Sequence, residues 1–196
     1  MAAVPFPIRD PDQVTGAVDQ VRSARTRLLL IDHVTSPTGL VFPVRQLVEH
    51  AHRFGIPVLV DGAHAPGMLP VNLTKLGADF YTGNHHKWLC APKASGFLYV
   101  DPKWQSVMRP TVISHGENKC FAGRSAFQSR FDWNGTFDPT PILCVPDAIE
   151  FLQNVVLGGL PEIMQRNRAL ALESQRVLSE TLGIPVPAPE SMIGSL

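Results

Sequence analysis

The feature that most constrains the fold of this chain is a series of short apolar runs separated by amphipathic segments. The runs occupy residues 27–34, 57–60, 78–82 and 96–100. The first two are continuously apolar, a pattern that predicts strands buried on both faces of a sheet. Residues 43–54, between these two runs, repeat apolar side chains at helical spacing and end at Gly55. Strands that alternate with helices predict an α/β fold with a mostly parallel sheet and flanking helices.

The rest of the chain predicts helices and irregular segments around that sheet. Residues 10–22 favour a first helix, with Asp10 as its N-cap and Pro11 in its first turn. Residues 101–138 are rich in aromatic and charged side chains without a clear period, so we expect irregular structure there. Helices are predicted over 147–156 and 161–182, whereas the proline-rich residues 183–196 predict no element.

Composition excludes several classes of partner. The chain has 17 basic and 17 acidic residues among 196 and no run of basic residues, so neither nucleic acid nor a membrane is expected as a partner. Its three cysteines show no CxxC spacing, which favours reduced thiols over a disulfide framework or a zinc site. The first twelve residues lack the pattern of a signal peptide. We therefore expect a cytoplasmic protein that acts on a small molecule.

Polar and titratable residues cluster where the first three predicted strands end. Ligands of open parallel sheets bind beyond the carboxyl ends of the strands, so this edge is the predicted site. The clusters are Asp32-His33 with Thr35-Ser36, Asp61 with His64, and Asn84-His85-His86-Lys87.

Two residues of these clusters suit a carbonyl cofactor that accepts electrons. Such a cofactor needs a lysine amine that holds it as an imine, and Lys87 supplies one. It also needs a carboxylate that keeps its ring nitrogen protonated, and Asp61 supplies one on the neighbouring strand end. A carboxylate that closes an apolar run needs a partner if it is buried, so Asp61 is difficult to explain as a simple surface residue.

Five ordered motifs carry a resemblance to a known family. They are HVTSPTG (33–39), VDGAHAPG (60–67), ADFYTGNHHKW (78–88), RPTVISHG (109–116) and RFDWNGTFDP (130–139). With these motifs the chain resembles the class V aminotransferase family of pyridoxal-phosphate enzymes, and within it the isopenicillin N epimerase-like branch. The resemblance implies a fragment of the large domain of the aspartate aminotransferase-like (fold type I) fold. Residues 1–157 would be a partial cofactor-binding large domain, and residues 158–196 a connecting helix and the start of a truncated small domain.

The resemblance also implies roles for individual residues around pyridoxal 5'-phosphate. Lys87 would form the Schiff base and later carry the Cα proton of the amino-acid substrate. Asp61 would pair with the pyridinium nitrogen, and His64 would hydrogen-bond the phenolic oxygen of the ring. The other implied contacts are Asn84 and His86 at the phosphate, Ser36 beside cofactor and substrate, and Thr136 at the phosphate of a neighbouring subunit in a homodimer.

These roles predict an enzyme of amino-acid metabolism that passes through a Cα carbanion, as an epimerase, a lyase or a transaminase. A desulfurase that carries a persulfide on Cys90 or Cys120 is less favoured, because that activity needs an exposed cysteine on a mobile loop and the sequence around neither cysteine indicates one. One alternative is a catalytically incompetent remnant that binds cofactor weakly or pairs with a full-length relative. Another is a metal-dependent hydrolase built on the Asp and His residues at the strand ends, although no HxH or HExxH spacing is present.

Overall fold

A four-stranded sheet organises the chain in the computed structural model, which describes residues 3–196. Met1 and Ala2, part of the segment in which no signal peptide is expected, lie outside the described residues. The strands lie side by side in chain order. The first three are parallel, and the fourth runs antiparallel to the third. They are β1 (Leu29–Asp32), β2 (Val58–Asp61), β3 (Phe80–Asn84) and β4 (Gly96–Val100).

Helices connect and flank these strands. Two of them form the crossovers of the parallel strands: α2 (Val44–His52) joins β1 to β2, and α3 (Leu73–Leu76) joins β2 to β3. The prediction of irregular structure over 101–138 is wrong in part, because three short helices form there. The remaining helices are α1 (Asp12–Val21), α4 (Pro102–Gln105), α5 (His115–Asn118), α6 (Ala126–Phe131), α7 (Thr140–Leu143), α8 (Val145–Asn154) and α9 (Gly159–Leu182).

One face of the sheet carries the hydrophobic core. Val58 and Val60 of β2 and Tyr81 of β3 are fully buried on this face. Helices α1 and α2 cover it, because their apolar stripes turn toward the strands. The helical side chains that join the same buried cluster are Val14, Val44, Leu47, Val48 and Ala51.

The opposite face of the sheet is largely open, which corrects the prediction of strands buried on both faces. Leu30 of β1 is 63% exposed, and Leu98 of β4 is 40% exposed. Between them, Leu59 and Phe80 are only half-buried. Alternating side chains of a strand point to opposite faces. In β1, therefore, only Ile31 is buried in the core, and Leu29 packs partly against it. Parallel strands are ordinarily covered on both faces, and this bare apolar surface is therefore unusual.

A buried carboxylate ties the amino-terminal ends of the strands to the helices. Asp79, only 1% exposed, lies just before β3. It accepts hydrogen bonds from the backbone N–H of Val58 (2.8 Å) and from Trp104 Nε1 (2.8 Å). His52 Nε2 lies 2.7 Å and Lys103 Nζ 2.6 Å from its two oxygens. Burial alone would raise the pKa of Asp79, but these partners outweigh it and hold the pKa below its ordinary value.

The final residues pack into the core, contrary to the prediction that residues 183–196 supply no element. A 3₁₀ turn forms over Glu190–Met192, and Met192 and Ile193 are buried. The backbone N–H of Val41 donates to the carbonyl of Met192, and Ile193 forms an antiparallel bridge with Leu40. These residues thus close the cluster beside β1. The division of the chain into two domains at residue 158 stays a prediction.

Within residues 3–196, no single helix is long and apolar enough to cross a membrane. One pair of segments meets the length and composition requirement only when taken together, namely Thr140–Asn154 and Gly159–Leu182, which meet at an angle of 71°.

Candidate active site

The parallel strands bring their polar ends to a single edge of the sheet. Asp32 and Asp61 are paired residues at the ends of β1 and β2, and Asp61 is in turn paired with Thr82 of β3. Asn84 ends β3 two residues farther on. Paired residues of adjacent strands point to the same face, so both carboxylates lie on the open face of the sheet.

Two glycines allow the loop after β2 to fold tightly against its neighbours. A Cβ at Gly62 would lie 2.2 Å from the ring of Tyr81, and one at Gly67 would lie 2.5 Å from the backbone of Trp88. Gly67 also has a φ of 87°, in the left-handed region that favours glycine. These close approaches hold the segment that bears His64 against the segment that bears Lys87. The VDGAHAPG motif therefore has a structural reason for both glycines.

The loop that carries Lys87 is fixed by its own backbone. The N–H of Ala91 donates to the carbonyl of His85 (3.0 Å), and the N–H of Cys90 donates to the carbonyl of Lys87 (3.2 Å). Cys90 adopts a φ of 58°, which is uncommon for a residue other than glycine. The ring of His85 stacks on Phe97 of β4, with 5.6 Å between ring centroids. Lys87 thus lies on a constrained turn that is anchored to the sheet.

Several histidine nitrogens in the loops at this edge are buried and have no hydrogen-bond partner among residues 3–196. They are both ring nitrogens of His64 and the Nδ1 atoms of His85 and His86. Buried polar atoms in proteins are nearly always paired, so a group of unpaired ones requires an explanation. Because these histidines lie in the loops that follow β2 and β3, a polar ligand bound at that end of the sheet would explain the unpaired atoms.

Burial and nearby charges adjust the titration of this edge. Burial raises the pKa of Asp32, the charge of Asp61 raises it further, and His64 opposes the change. Burial lowers the pKa of His64, as does the Lys87 ammonium, while Asp61 and Asp32 act in the opposite direction. Burial, and then the charge of His86, lowers the pKa of His85. These effects favour neutral imidazoles, which can accept as well as donate hydrogen bonds.

His33 and Tyr81 support the edge from the core side. Nδ1 of His33 and the hydroxyl of Tyr81 form a buried hydrogen bond of 2.8 Å, with the rings edge to face. Burial lowers the pKa of His33 to about 4, so its ring is neutral at physiological pH. His33 belongs to the polar cluster predicted after β1, but it points to the core and not to the open edge.

The structure brings together five of the seven predicted site residues and leaves two apart. Asp61, His64, Asn84, His86 and Lys87 all lie at the ends of β2 and β3 or in the loops that follow. Ser36 is exposed in the turn after β1. Thr136 is exposed between α6 and α7, and within residues 3–196 no hydrogen bond joins it to the sheet edge. The roles of all seven residues toward a cofactor stay predictions.

Sequence reasoning missed two contributors to this edge. Tyr81 reads as one aromatic residue of an ordinary buried strand, and nothing in the sequence links it to His33 or Gly62. Asp32 belongs to the predicted polar cluster, but its residue type alone does not assign it a separate role. Its signal was present, because two apolar runs, LLLID and VLVD, both close on an aspartate and pair in register.

Metal binding receives no support from the geometry. Within the described residues, no three His, Cys, Asp or Glu side chains come together in a group that could hold a metal ion. Of the residues that suggested a metal-dependent hydrolase, His33 is buried in the core, whereas Asp61 lies at the open edge.

The sheet and its crossover helices define the class of protein: a fragment of the fold type I architecture. The apo structure of a cysteine desulfurase from Thermococcus onnurineus NA1 matches with a TM-score of 0.71 and 23% sequence identity. That match covers 92% of this chain and 44% of the desulfurase. At this identity the likeness establishes the fold alone.

The sequence then gives the family. The family model described as Aminotransferase class-V matches residues 5–192, and the chain belongs to this family of pyridoxal-phosphate enzymes. It is 36% identical over 192 residues to isopenicillin N epimerase from Streptomyces clavuligerus, covering 93% of this chain. It is 34% identical over 202 residues to a putative L-cysteine desulfhydrase 1 from Oryza sativa subsp. japonica, covering 98% of this chain. The predicted family and fold class are both confirmed.

The chain spans only part of these relatives. The match covers 48% of the Streptomyces epimerase and 40% of the rice protein. The residues present nevertheless fit the family's cofactor, because unpaired histidine nitrogens can bond to phosphate or phenolic oxygens. Asp61 supplies a carboxylate and Lys87 an amine at the same edge. The matched half thus brings a carboxylate, an amine and several imidazoles to the strand ends.

Proposed function

We propose that this chain binds pyridoxal 5'-phosphate at the carboxyl edge of the sheet and forms part of an enzyme that removes the Cα proton of an amino acid. The observation that carries the proposal is the group of histidine nitrogens in the loops after β2 and β3 that are buried and, among the described residues, without a partner. A polar cofactor explains their burial, whereas an empty edge leaves each of them at a cost of about 1–3 kcal/mol.

Each of the catalytic roles follows from side-chain chemistry. When bound, the cofactor supplies an electron sink that stabilises negative charge at Cα. Lys87 Nζ would bind covalently to the carbonyl carbon of the cofactor. Once the substrate has displaced this amine, the free Nζ would accept the Cα proton of the substrate. The carboxylate of Asp61 would hold the proton on the ring nitrogen. Its Oδ1 already accepts a hydrogen bond from the N–H of Ala63 (2.9 Å), which fixes the orientation of the carboxylate.

The remaining predicted residues would orient the cofactor. His64 would donate to the phenolic oxygen, and Asn84 with His86 would bind the phosphate. Ser36, exposed on the turn after β1, would lie beside the substrate. Thr136 would reach the phosphate of a neighbouring subunit, which makes a homodimer part of the proposal. The reaction would be that of an epimerase, a lyase or a transaminase acting in the cytoplasm.

A second candidate function is favoured by the open face of the sheet. A chain with Leu30 and Leu98 exposed is suited to pairing with another polypeptide. On this alternative the chain is a non-catalytic remnant that binds the cofactor weakly or associates with a full-length relative. The carboxyl edge of the sheet would then keep its histidines but would not catalyse a reaction.

Covalent trapping tests the proposal directly. The purified chain is mixed with pyridoxal 5'-phosphate, reduced with borohydride, and digested for peptide mass spectrometry. We expect one dominant reduced adduct on Lys87, and its loss in the Lys87→Ala variant. The Lys75→Ala variant is the matched control, because Lys75 is an exposed lysine of α3.

Two results would distinguish the alternatives. An adduct at Lys87 together with exchange of the Cα proton of an amino acid into deuterated solvent supports the enzyme. An adduct at Lys87 without exchange supports the remnant. Labelling scattered over Lys75, Lys93 and Lys103 would contradict cofactor binding at the strand ends altogether.

A further inference from the structure

We propose that Phe97 of β4 is a positioning residue for the candidate site. Its ring holds the loop that carries Lys87 in place relative to the loop that carries His64. The consequence for cofactor binding rests on the proposed function, whereas the placement of the two loops is a property of the chain itself.

The glycine at position 83 lets the ring of Phe97 lie across β3. Gly83 and Phe97 are register partners in the antiparallel pair of β3 and β4, so their side-chain positions are on the same face of the sheet. A Cβ at Gly83 would overlap the ring of Phe97 and would lie 3.0 Å from Cγ of Pro66. The ring and the loop after β2 therefore meet directly over this glycine, which leaves the room that both need.

Two further rings stack on Phe97. The ring of Tyr81, which is fully buried, lies nearly parallel to it, with 6.1 Å between centroids and 8° between planes. The ring of His85 stacks on it at 5.6 Å and 27°. The hydroxyl of Tyr81 is bonded to Nδ1 of His33, so the first ring is itself fixed in the core. Phe97 thus connects the core with the residue that begins the Lys87 turn.

His85 passes this position on to Lys87. Its backbone carbonyl accepts a hydrogen bond from the N–H of Ala91 (3.0 Å), which closes the turn that contains Lys87. Its own N–H donates to the carbonyl of Ser95 (3.2 Å). Among residues 3–196, no hydrogen bond orients the ring of His85, whose Nδ1 atom is buried and unpartnered. The stacking on Phe97 is therefore the contact that holds this ring in place.

The same rings support the loop after β2. At the start of this loop, the backbone of Gly62 lies so close to Tyr81 that a Cβ would overlap the tyrosine ring. Farther along, Pro66 lies beside Phe97 over β3. His64 lies between these two points of support. Loss of the Phe97 ring would therefore allow both loops to move, and binding sites are sensitive to displacements of about 0.5 Å.

Trapping at different cofactor concentrations tests the role of the ring in the site. The protein is equilibrated with pyridoxal 5'-phosphate and reduced, and labelling of Lys87 is measured. Phe97→Leu keeps an apolar side chain but loses the flat ring, and we expect half-maximal labelling to require about tenfold more cofactor. Phe97→Tyr keeps the ring and should restore the wild-type value. Phe80→Leu is the matched control, because Phe80 packs on Trp104 at the opposite end of β3 (5.7 Å between centroids).

Hydrogen exchange of backbone amides tests the same role without cofactor. We expect Phe97→Leu to speed exchange at Ala91 and Cys90, whose N–H groups bond within the Lys87 turn, by about tenfold relative to Val60. Val60 lies in the central strand β2 and reports the stability of the whole sheet. A general loss of stability would speed all three amides together, as we expect of Phe80→Leu.

The outcomes separate this proposal from the proposed function. It is overturned if Phe97→Leu and Phe80→Leu raise the labelling concentration equally, or if exchange at Ala91 rises only in proportion to exchange at Val60. Should Phe97→Leu fail to fold, Phe97→Met replaces it, because a flexible methionine fills the space without a ring. A wild type that is not labelled at Lys87 but shows the expected exchange would contradict the proposed function and leave the role of Phe97 intact.

Discussion

His33 shows how one buried titratable residue links the site to stability. Its neutral ring bonds to Tyr81 in the core, directly beneath the strand ends. The folded state holds the pKa of His33 at about 4, compared with an ordinary value of 6.5. Between these pH values the unfolded chain binds a proton that the folded protein does not, so acid favours unfolding.

We therefore expect the free energy of unfolding to fall as pH is lowered from 6.5 to 4, with His33 accounting for roughly 2–3 kcal/mol of the decrease. Asparagine can replace the hydrogen bond to Tyr81 but cannot titrate. Urea unfolding of His33→Asn across this range should show a shallower dependence on pH than the wild type. Exposed His115→Asn is the control, and an identical slope in His33→Asn and wild type would refute the role of His33.

The sequence identifies the candidate site residues at the strand ends better than it identifies which side chains bond to one another in the fold. Asp61 and Lys87 stand out in the sequence because each follows a recognisable apolar run and each has a chemistry that calls for a ligand. The bond between His33 and Tyr81 could not be foreseen, because it depends on two strands that are not adjacent in the sheet. Pairs of this kind are set by tertiary packing, on which the local pattern carries no information.

At the scale of elements, the side chain of Asp79 joins two helices and a strand by hydrogen bonds and an ion pair. Its four partners come from α2, from the start of β2 and from α4. The carboxylate of Asp79 is almost fully buried. Its loss would therefore leave donors such as the N–H of Val58 and Nε1 of Trp104 without their acceptor. A buried acceptor of this type contributes far more than any single exposed partner.

Replacement of the acceptor and of one donor should therefore differ sharply in effect. We expect Asp79→Ala to lower the free energy of unfolding by about 3–5 kcal/mol. Lys103→Ala should lower it by less than about 1 kcal/mol, because Lys103 is more than half exposed. Urea denaturation at pH 7 measures both. Equal losses in the two variants would show that the exposed ion pair, and not the buried network, is what stabilises these elements.

The elements themselves were predictable to different degrees. The parallel strands and α2 could be predicted because their apolar periods are strong, and the structure confirms the α/β architecture. The short helices α4 to α6 could not, since one turn of helix leaves too few residues to show a period. The open face was missed for another reason: the apolar run of β1 predicts burial but does not show whether a second layer is present to provide it.

On the scale of the whole molecule, the open sheet face is the feature with the largest expected effect in solution. It places Leu30 and Leu98 among half-buried apolar neighbours, next to strand edges with unpaired backbone groups. Such surfaces associate, because association removes apolar area from water and completes backbone pairing.

We expect the wild-type chain to sediment as associated species whose proportion grows with concentration. Leu30→Lys combined with Leu98→Lys should shift the protein toward monomer, since a charged side chain cannot be buried cheaply against a second copy. Sedimentation velocity over a range of protein concentrations measures the change. Leu157→Lys is the control, because Leu157 is 96% exposed but lies far along the chain in the connection between α8 and α9. A monomeric wild type at every concentration would contradict the expectation.

Because Met192 and Ile193 pack beside β1, this part of the core can form only late in the synthesis of the chain. All four strands have left the ribosome once residue 100 has emerged, yet the cluster next to Leu40 and Val41 is completed only by Met192 and Ile193. Contacts so distant in sequence form slowly, because a long loop must close before they repay its entropy. The end of the sheet next to Leu40 therefore keeps apolar surface uncovered until Met192 and Ile193 have been made, in the period when chaperones engage growing chains.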